Sequence, residues 1–213
     1  METLHNFIDL FLHLDVHLNS VIQTYGVQTY LILFAIIFCE TGLVVTPILP
    51  GDSLLFAIGT FCASGSLDIS KVIPLLCVAV ICGDLTNYTI GRFLGPKVLT
   101  ENGRIFKKKY LDKTQWYYER FGGKTIIVAR FVPIVRTFAP FMAGVGGMSF
   151  PKFFSYSLGG GVLWISALTT AGYLFGNIPV VKNNFTLVVL AIVFVSLLPA
   201  IVEGLRARRV VEA

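Results

Sequence analysis

The sequence predicts an all-α integral membrane protein built as an inverted repeat, in which each half is a re-entrant helical hairpin followed by a transmembrane helix. The first observation is the composition: 55% of the residues are hydrophobic, 14% are charged and the mean hydropathy is +0.77, which excludes an ordinary soluble domain. The second is that apolar stretches of spanning length alternate with half-length stretches interrupted by proline. Residues 1–213 are therefore predicted to form a single membrane domain, completed by an N-terminal interfacial helix and a C-terminal transmembrane helix.

Residues 1–20 are predicted to form an amphipathic helix that lies in the membrane interface. His5, Asp9, His13 and His17 recur every four residues and share one face of this helix. The spacing of His13 and His17 would also suit a pair of metal ligands. No third ligand beyond Asp9 is evident, so the polar face of an interfacial helix is the favoured interpretation. No metal site and no cofactor are predicted.

The first re-entrant hairpin is predicted for residues 27–63. Its first apolar run ends before Glu40 and is shorter than the roughly 20 residues that a spanning helix needs. A second short run begins after Asp52. The break between the two runs contains Thr46, Pro47, Pro50 and Gly51. Non-helical backbone at membrane depth is tolerated only where protein or a cavity surrounds it, so we expect this tip to be enclosed.

A transmembrane helix is predicted for residues 72–95. It carries four polar side chains, Asp84, Asn87, Tyr88 and Arg92. Asp84 and Asn87 are three residues apart and share a face, which should point into the protein. Asp84 and Arg92 are predicted to form a secondary ion pair that braces the helix. The glycines of a G-x-x-x-G pattern, Gly91 and Gly95, predict close contact with another helix.

Residues 96–124 are predicted to form a basic cytoplasmic loop with eight lysines and arginines. The run from Lys107 to Lys109 would suit nucleic acid. Basic residues that lie beside apolar segments are, however, typical of cytoplasmic loops that contact anionic lipid headgroups. No nucleic-acid partner is therefore predicted.

The second re-entrant hairpin is predicted for residues 125–148, followed by transmembrane helices at 153–176 and 185–203. The breaks of this hairpin are assigned to Pro133, Pro140 and Gly144. The first 70 residues contain no lysine or arginine, whereas the loop and the C-terminal tail are basic. The N terminus is therefore predicted to be periplasmic and the C terminus cytoplasmic.

The two halves share a pattern, which is the third observation behind the predicted fold. Glu40 stands ten residues before Pro50, and Arg130 stands ten residues before Pro140. Each hairpin is followed by a helix that ends in a G-x-x-x-G pattern. The first pattern is Gly91 to Gly95, and the second is Gly172 to Gly176. Inverted repeats with broken helices are the architecture of secondary transporters.

Four ionisable residues of the hairpins form the predicted site: Glu40, Asp52, Arg130 and Arg136. Charges at membrane depth usually mark a substrate or ion pathway. Arginine offers a planar fork that matches a phosphate group, and a carboxylate can release an arginine by taking up a proton. Asp84, Asn87, Tyr88, Arg92, Thr46 and Thr137 are predicted as secondary polar residues. Static salt bridges that only hold the hairpins together remain the alternative.

Several motifs closely resemble the DedA family of bacterial inner-membrane proteins, which is related to the eukaryotic VTT-domain lipid scramblases. The motifs are Phe38-Cys-Glu-Thr-Gly, Pro50-Gly-Asp-Ser-Leu-Leu, Gly83-Asp84, Asn87-Tyr-Thr-Ile-Gly-Arg92 and Ala129-Arg-Phe-Val-Pro-Ile-Val-Arg-Thr-Phe-Ala-Pro-Phe. The resemblance implies a multi-pass protein of the bacterial cytoplasmic membrane. It also implies proton-coupled translocation of undecaprenyl phosphate or a similar anionic lipid. On this resemblance Glu40 and Asp52 are the functional carboxylates, and Arg130 and Arg136 the functional arginines.

The expected partners are membrane lipids and protons, and an oligomer is possible. A phospholipid scramblase or a proton-coupled exporter of small molecules remains an alternative function. An enzyme acting on lipid phosphates is not predicted, because all three histidines lie in the N-terminal helix and no H-E-x-x-H motif or serine elbow appears. A scaffold without transport activity would not explain charges at the hairpin tips.

Overall fold

The computed structural model describes residues 14–43, 51–98, 126–127, 130 and 133–196, and all regular structure among them is helical. The helices are α1 (Leu14–Tyr25), α2 (Thr29–Gly42), α3 (Gly51–Ala63), α4 (Ile69–Val98), α5 (Pro133–Val145), α6 (Phe150–Phe175), α7 (Pro179–Asn183) and α8 (Phe185–Ser196). A 3-10 turn over Gly26–Gln28 joins α1 to α2. The predicted all-α class is confirmed for this part of the chain.

Some predicted features lie outside the described residues. They are His5, Asp9 and His13 of the interfacial helix, Thr46, Pro47 and Pro50 of the first break, the basic loop from residue 99, and the predicted last helix beyond Ser196.

Three helical runs are long and apolar enough to cross a membrane: Val16–Gly42, Ile69–Leu94 and Phe150–Phe175. The second and third coincide with the transmembrane helices predicted at 72–95 and 153–176 and have the length and hydropathy that spanning requires. Both begin slightly before the predicted starts.

The first run differs from the prediction. The sequence divides it into an interfacial helix that ends at residue 20 and a hairpin arm that begins at residue 27. In the structure α1 continues to Tyr25, and only the 3-10 turn separates it from α2. Gly26 has a φ of 50° at that turn, a conformation that glycine adopts without steric cost. Helical structure therefore continues through residues 21–26, where the sequence predicted the boundary between two elements.

The short helix α3 is enclosed by protein. It has 13 residues, which corresponds to about 20 Å and is less than the roughly 30 Å of a bilayer core. Every residue from Gly51 to Gly59 is buried. This enclosure meets the physical requirement for a half-length helix at membrane depth. The re-entrant course of both hairpins stays a prediction.

Helix α5 corrects two of the predicted breaks. It begins at Pro133, a position where proline is favoured because the first helical N–H groups have no intrahelical partner. Pro140, however, lies inside α5 and does not interrupt it. Proline removes one backbone hydrogen bond, and helices at membrane depth tolerate this where neighbouring groups compensate. Gly144 also lies inside α5, where it serves close packing rather than a break.

The chain divides into two compact units, and each contains one crossing of a short helix with a long one. The first unit comprises the described residues of 1–36, 48–76 and 165–213. Here α3 packs on α6 through Gly59, Gly172 and Gly176. A Cβ atom on Gly59 would overlap the carbonyl oxygen of Thr169, and one on Gly172 would overlap that of Phe56. The second G-x-x-x-G pattern, which in the sequence served only as a sign of the repeat, thus lies at a close helix contact.

The second unit comprises the described residues of 37–47 and 77–164, and α5 packs on α4 in it. A Cβ atom on Gly144 would overlap the carbonyl oxygen of Tyr88, and one on Gly91 would overlap that of Phe141. The predicted close contact at Gly91 is therefore confirmed. Tyr88 also stacks on Phe153, with 4.3 Å between ring centroids, and so packs the N-terminal part of α6 into the same unit.

The long helices α4 and α6 begin with equivalent caps. The carbonyl oxygen of Asp68 accepts a hydrogen bond from the Val72 N–H at 2.9 Å, and that of Ser149 accepts one from the Phe153 N–H at 3.0 Å. The Asp68 carboxylate additionally accepts the Ser70 N–H at 3.0 Å, which satisfies a helix N–H that has no intrahelical partner.

Candidate functional site

Arg136 and Glu40 form a buried ion pair in the second unit. The Arg136 Nη2 donates to Glu40 Oε1, and the two residues are 8% and 1% exposed. Arg136 lies near the N-terminal end of α5 and Glu40 near the C-terminal end of α2, so each charge occupies the unfavourable end of its helix dipole. The pair therefore depends on mutual compensation between the two helices and not on their dipoles.

Trp164 of α6 completes the surroundings of this pair. The Arg136 guanidinium carbon lies 4.7 Å from the centroid of the Trp164 ring, and Trp164 is 1% exposed. A cation over a tryptophan face is attracted by the ring quadrupole, most strongly where water is excluded. The sequence pointed to no role for Trp164. Trp164 lies within an apolar stretch, and nothing in that stretch predicts a contact with Arg136.

Arg130 has a different counter-ion from the one predicted. Its Nη2 donates to Asp84 Oδ2 and, at 3.1 Å and 3.2 Å, to the carbonyl and hydroxyl oxygens of Ser157. The Ser157 hydroxyl in turn donates to Asp84 Oδ2. All three residues are buried. This is a closed polar cluster in which the hydroxyl bridges the carboxylate and the guanidinium.

The predicted pair of Asp84 and Arg92 is wrong. Residues 84 and 92 are about 12 Å apart along α4, which is too far for a direct contact along the helix axis. Arg92 is exposed and donates to the Tyr88 hydroxyl at 3.4 Å, and that hydroxyl donates to the Met148 carbonyl oxygen. Tyr88 and Arg92 therefore link α4 to the turn after α5.

Asn87 joins the two chain segments that carry the Glu40–Arg136 pair. Its amide nitrogen donates to the carbonyl oxygens of Thr41, at 3.1 Å, and Thr137, at 2.7 Å. Each of these threonines directly follows one member of the pair. Asn87 is fully buried, so both hydrogens of its amide are used to fix the backbone on which the charges are carried. Asn87 thus joins these two segments through their backbone carbonyls, and the functional roles predicted for Asn87 and Thr137 stay predictions.

Gly83 lets α2 approach α4 closely enough for this arrangement. A Cβ atom on Gly83 would overlap the Thr41 side chain, and one on Gly42 would lie 3.2 Å from the Gly83 Cα. The neighbouring Asp84 is thereby carried on the face of α4 that packs in the interior.

Asp52 belongs to the first unit. It is 8% exposed and lies in the first turn of α3, where its negative charge is favoured by the helix dipole. The Ser196 hydroxyl of α8 donates to its Oδ2 at 2.5 Å. The predicted role of Asp52 as a counter-ion or proton carrier stays a prediction. Of the four predicted central residues, the structure pairs Glu40 with Arg136 and gives Arg130 the partner Asp84.

Within the part of the chain that the structure describes, no group of three His, Cys, Asp or Glu side chains is placed to hold a metal ion. The described polar groups of the site are two arginine–carboxylate pairs, one serine, one asparagine and one tryptophan. Such an arrangement can bind an anion through the guanidinium groups and can exchange a carboxylate for another oxyanion.

Comparison with known proteins places the chain in a family. Residues 49–174 match the model of the VTT domain. The chain is 51% identical over 212 residues to Protein DedA of Escherichia coli K12, covering 98% of this chain and 97% of that protein. It is 46% identical over 180 residues to the uncharacterized membrane protein Rv0364 of Mycobacterium tuberculosis H37Rv, covering 83% and 79%. It is 35% identical over 152 residues to the inner membrane protein YqjA of Escherichia coli K12, covering 71% and 69%. No solved structure matches the chain.

Proposed function

The chain belongs to the DedA family of VTT-domain membrane proteins, and from that premise we propose that it moves an anionic lipid across the bacterial cytoplasmic membrane. It is a multi-pass inner-membrane protein, as its three span-length apolar helices and its inner-membrane relatives indicate. The proposed cargo is a polyprenyl phosphate such as undecaprenyl phosphate, and the proposed coupling ion is the proton.

The observation that carries the proposal is the buried pair of Arg136 and Glu40 against Trp164. A buried ion pair stabilises a fold weakly at best, because the desolvation of both charges offsets their attraction. Intramembrane charges are therefore usually kept for a function. A lipid phosphate that crosses hydrocarbon needs its charge compensated, and a guanidinium provides a permanent charge with a fork that fits it.

The proposed cycle exchanges one oxyanion for another at Arg136. The phosphate takes the place of the Glu40 carboxylate, and the displaced carboxylate takes up a proton because an ionised group without its cation is costly in apolar surroundings. When the lipid leaves, Glu40 releases this proton and pairs with Arg136 again. One proton thus accompanies each lipid. Trp164 holds the guanidinium by its ring face during the exchange, and Asp52 is the second acid of the proposed proton route.

Purified protein in liposomes tests the proposal. The leaflet accessibility of a labelled polyprenyl phosphate is followed with and without a pH gradient, beside the uncharged polyprenol, a zwitterionic phospholipid and a cationic drug. We expect movement of the polyprenyl phosphate alone, faster with the gradient. Equal movement of the phospholipid would favour a scramblase, and movement of the drug would favour an exporter. Release of inorganic phosphate would point to an enzyme instead.

The proposed orientation has the N terminus in the periplasm and the C terminus in the cytoplasm. A protease site added at the C terminus should be cleaved in inverted membrane vesicles and protected in spheroplasts. Cleavage in spheroplasts would reverse the orientation and with it the direction assigned to proton entry.

A further inference from the structure

The triple glycine of α6, Gly159 to Gly161, has no role in the function proposed above. Each glycine inside a helix costs about 1 kcal/mol relative to alanine, so three in a row call for a structural reason. Gly159 faces open space. A Cβ atom on Gly160, in contrast, would lie 2.9 Å from Nε and 3.1 Å from Cδ of Arg130, closer than van der Waals contact allows. Gly160 therefore leaves the room in which the Arg130 side chain lies.

The end of the Arg130 guanidinium is held by polar groups. Its Nη2 is occupied by Asp84 Oδ2 and by both oxygens of Ser157. Its Nε is buried and has no hydrogen-bond partner among the residues that the structure describes, and the whole residue is 5% exposed. A buried donor of a charged group that lacks an acceptor is costly. This donor is therefore available to an oxygen of a bound anion.

We infer that Asp84, Ser157 and Gly160 are positioning residues that hold Arg130 so that its buried Nε–H can donate to an anionic headgroup. Arg130 would then bind a phosphate oxygen through Nε while its Nη2 stays paired with Asp84. This differs from Arg136, whose carboxylate partner is exchanged for the phosphate. The inference rests on the anionic cargo proposed above. It adds that the two arginines bind the phosphate in different ways and that Gly160 makes room for Arg130.

The matched pair of variants Gly160→Ala and Gly159→Ala tests the inference. Both replace a helical glycine by the same residue in the same turn, but only the first brings a methyl group against Arg130. Protein with 15N-labelled arginine is prepared in detergent micelles, and the Nε–H resonances of Arg130 and Arg136 are assigned with Arg130→Lys and Arg136→Lys. Decyl phosphate is titrated in, with decanol as the uncharged probe of equal chain length.

In the unmodified protein and in Gly159→Ala, we expect decyl phosphate, and not decanol, to shift the Arg130 Nε–H resonance in a saturable way. In Gly160→Ala we expect affinity to fall about tenfold or more, because small misplacements of a binding group are costly. The thermal midpoint of Gly160→Ala should stay close to that of the unmodified protein, so that weaker binding is not the result of unfolding. The midpoint of Gly159→Ala is the control. Equal affinities for both variants would overturn the inference.

A second variant covers the case in which Gly160→Ala is not recovered from membranes. Ser157→Ala removes one hydroxyl from the cluster and adds no volume, and it should weaken decyl phosphate binding while Ser155→Ala, on the exposed side of the same helix, should not. If decyl phosphate shifts Arg136 but not Arg130, the positioning role is wrong and the proposed function stands. If it shifts neither arginine, and no polyprenyl phosphate moves in liposomes, both fail.

Discussion

The crossings of the two units share their backbone packing and differ in their charges. In each, a short helix presents a phenylalanine carbonyl and, three residues later, a glycine: Phe56 and Gly59 in α3, Phe141 and Gly144 in α5. A glycine of the long helix lies against that carbonyl in both. The close approach is of the kind that small residues permit between membrane helices.

Among the residues that the structure describes, the buried charged groups of the two units differ. The second unit carries the Glu40–Arg136 and Asp84–Arg130 pairs, each held by additional hydrogen bonds or ring contacts. The first unit carries Asp52, hydrogen-bonded to Ser196. The comparison shows that helix packing and charge placement vary independently in this fold. Both units use one crossing geometry, and the two arginine–carboxylate pairs described here lie in the second unit.

The equivalence also corrects the predicted repeat. The sequence aligned Pro50 with Pro140, but Pro50 precedes α3 whereas Pro140 lies inside α5. The packing instead makes Phe56 equivalent to Phe141. Spacing to a proline is a weak guide, because proline is tolerated both at the start and within a helix.

Removal of Arg136 should have the largest effect on the charged unit. Arg136→Ala takes the cation away from the buried Glu40 carboxylate, and we expect a loss of about 3–5 kcal/mol in stability together with loss of transport. The double variant Arg136→Met and Glu40→Met should recover thermal stability in detergent, because a hydrophobic pair can replace a buried ion pair, yet it should not transport. A double variant that still transports would make the pair a static salt bridge.

Alanine at the glycines of the long helices should damage both units alike. Gly91→Ala and Gly172→Ala each bring a methyl group against a backbone carbonyl, which cannot move as a side chain can. We expect each to cost about 1–3 kcal/mol or more, measured as the thermal midpoint in detergent. Gly159→Ala, which faces open space, is the control and should be neutral or stabilising. If only one of Gly91→Ala and Gly172→Ala is neutral, the two crossings are not equivalent.

Removal of two different buried polar groups should change the thermal stability in opposite directions. Asn87→Ala removes the amide hydrogen bonds to the carbonyl oxygens of Thr41 and Thr137, and we expect a loss of about 1–3 kcal/mol and slower transport. In the first unit the Thr169 hydroxyl is buried and has no partner within the described ranges. Thr169→Val should therefore stabilise by about 1 kcal/mol without affecting transport. Thermal midpoints beside liposome rates decide this, and destabilisation by Thr169→Val would contradict it.

The smallest effect concerns the caps of the long helices. The pKa of Asp68 is lowered, chiefly by the hydrogen bond from the Ser70 hydroxyl and then by Lys71, whereas Ser149 has no charge to titrate. Because the pKa is lowered on folding, the stabilisation by Asp68 is present above its usual value of 3.8 and declines as the pH falls below it. Asp68→Ser should make the caps alike and slightly reduce the fall in thermal midpoint between pH 7 and pH 3. An unchanged fall would show that the cap contributes nothing.

Local patterns in the chain were sufficient for several features. Hydropathy over a window of spanning length located α4 and α6, and G-x-x-x-G located the contact at Gly91. The burial of Glu40, Asp52, Arg130 and Arg136 also followed from their apolar flanks. These features depend on neighbours within a few turns. The sequence carries them directly.

What the chain by itself determined is a helical membrane protein of the DedA family with charged residues buried in broken apolar stretches. Tertiary structure alone decided which acid each arginine meets. Asp84 and Arg130 are 46 residues apart, and Glu40 and Arg136 are 96 residues apart. Those partners are chosen by the glycine contacts that bring α2, α4 and α6 together around the arginines. Charge attraction acts over any sequence separation, so only the packing of helices can select among the acids available.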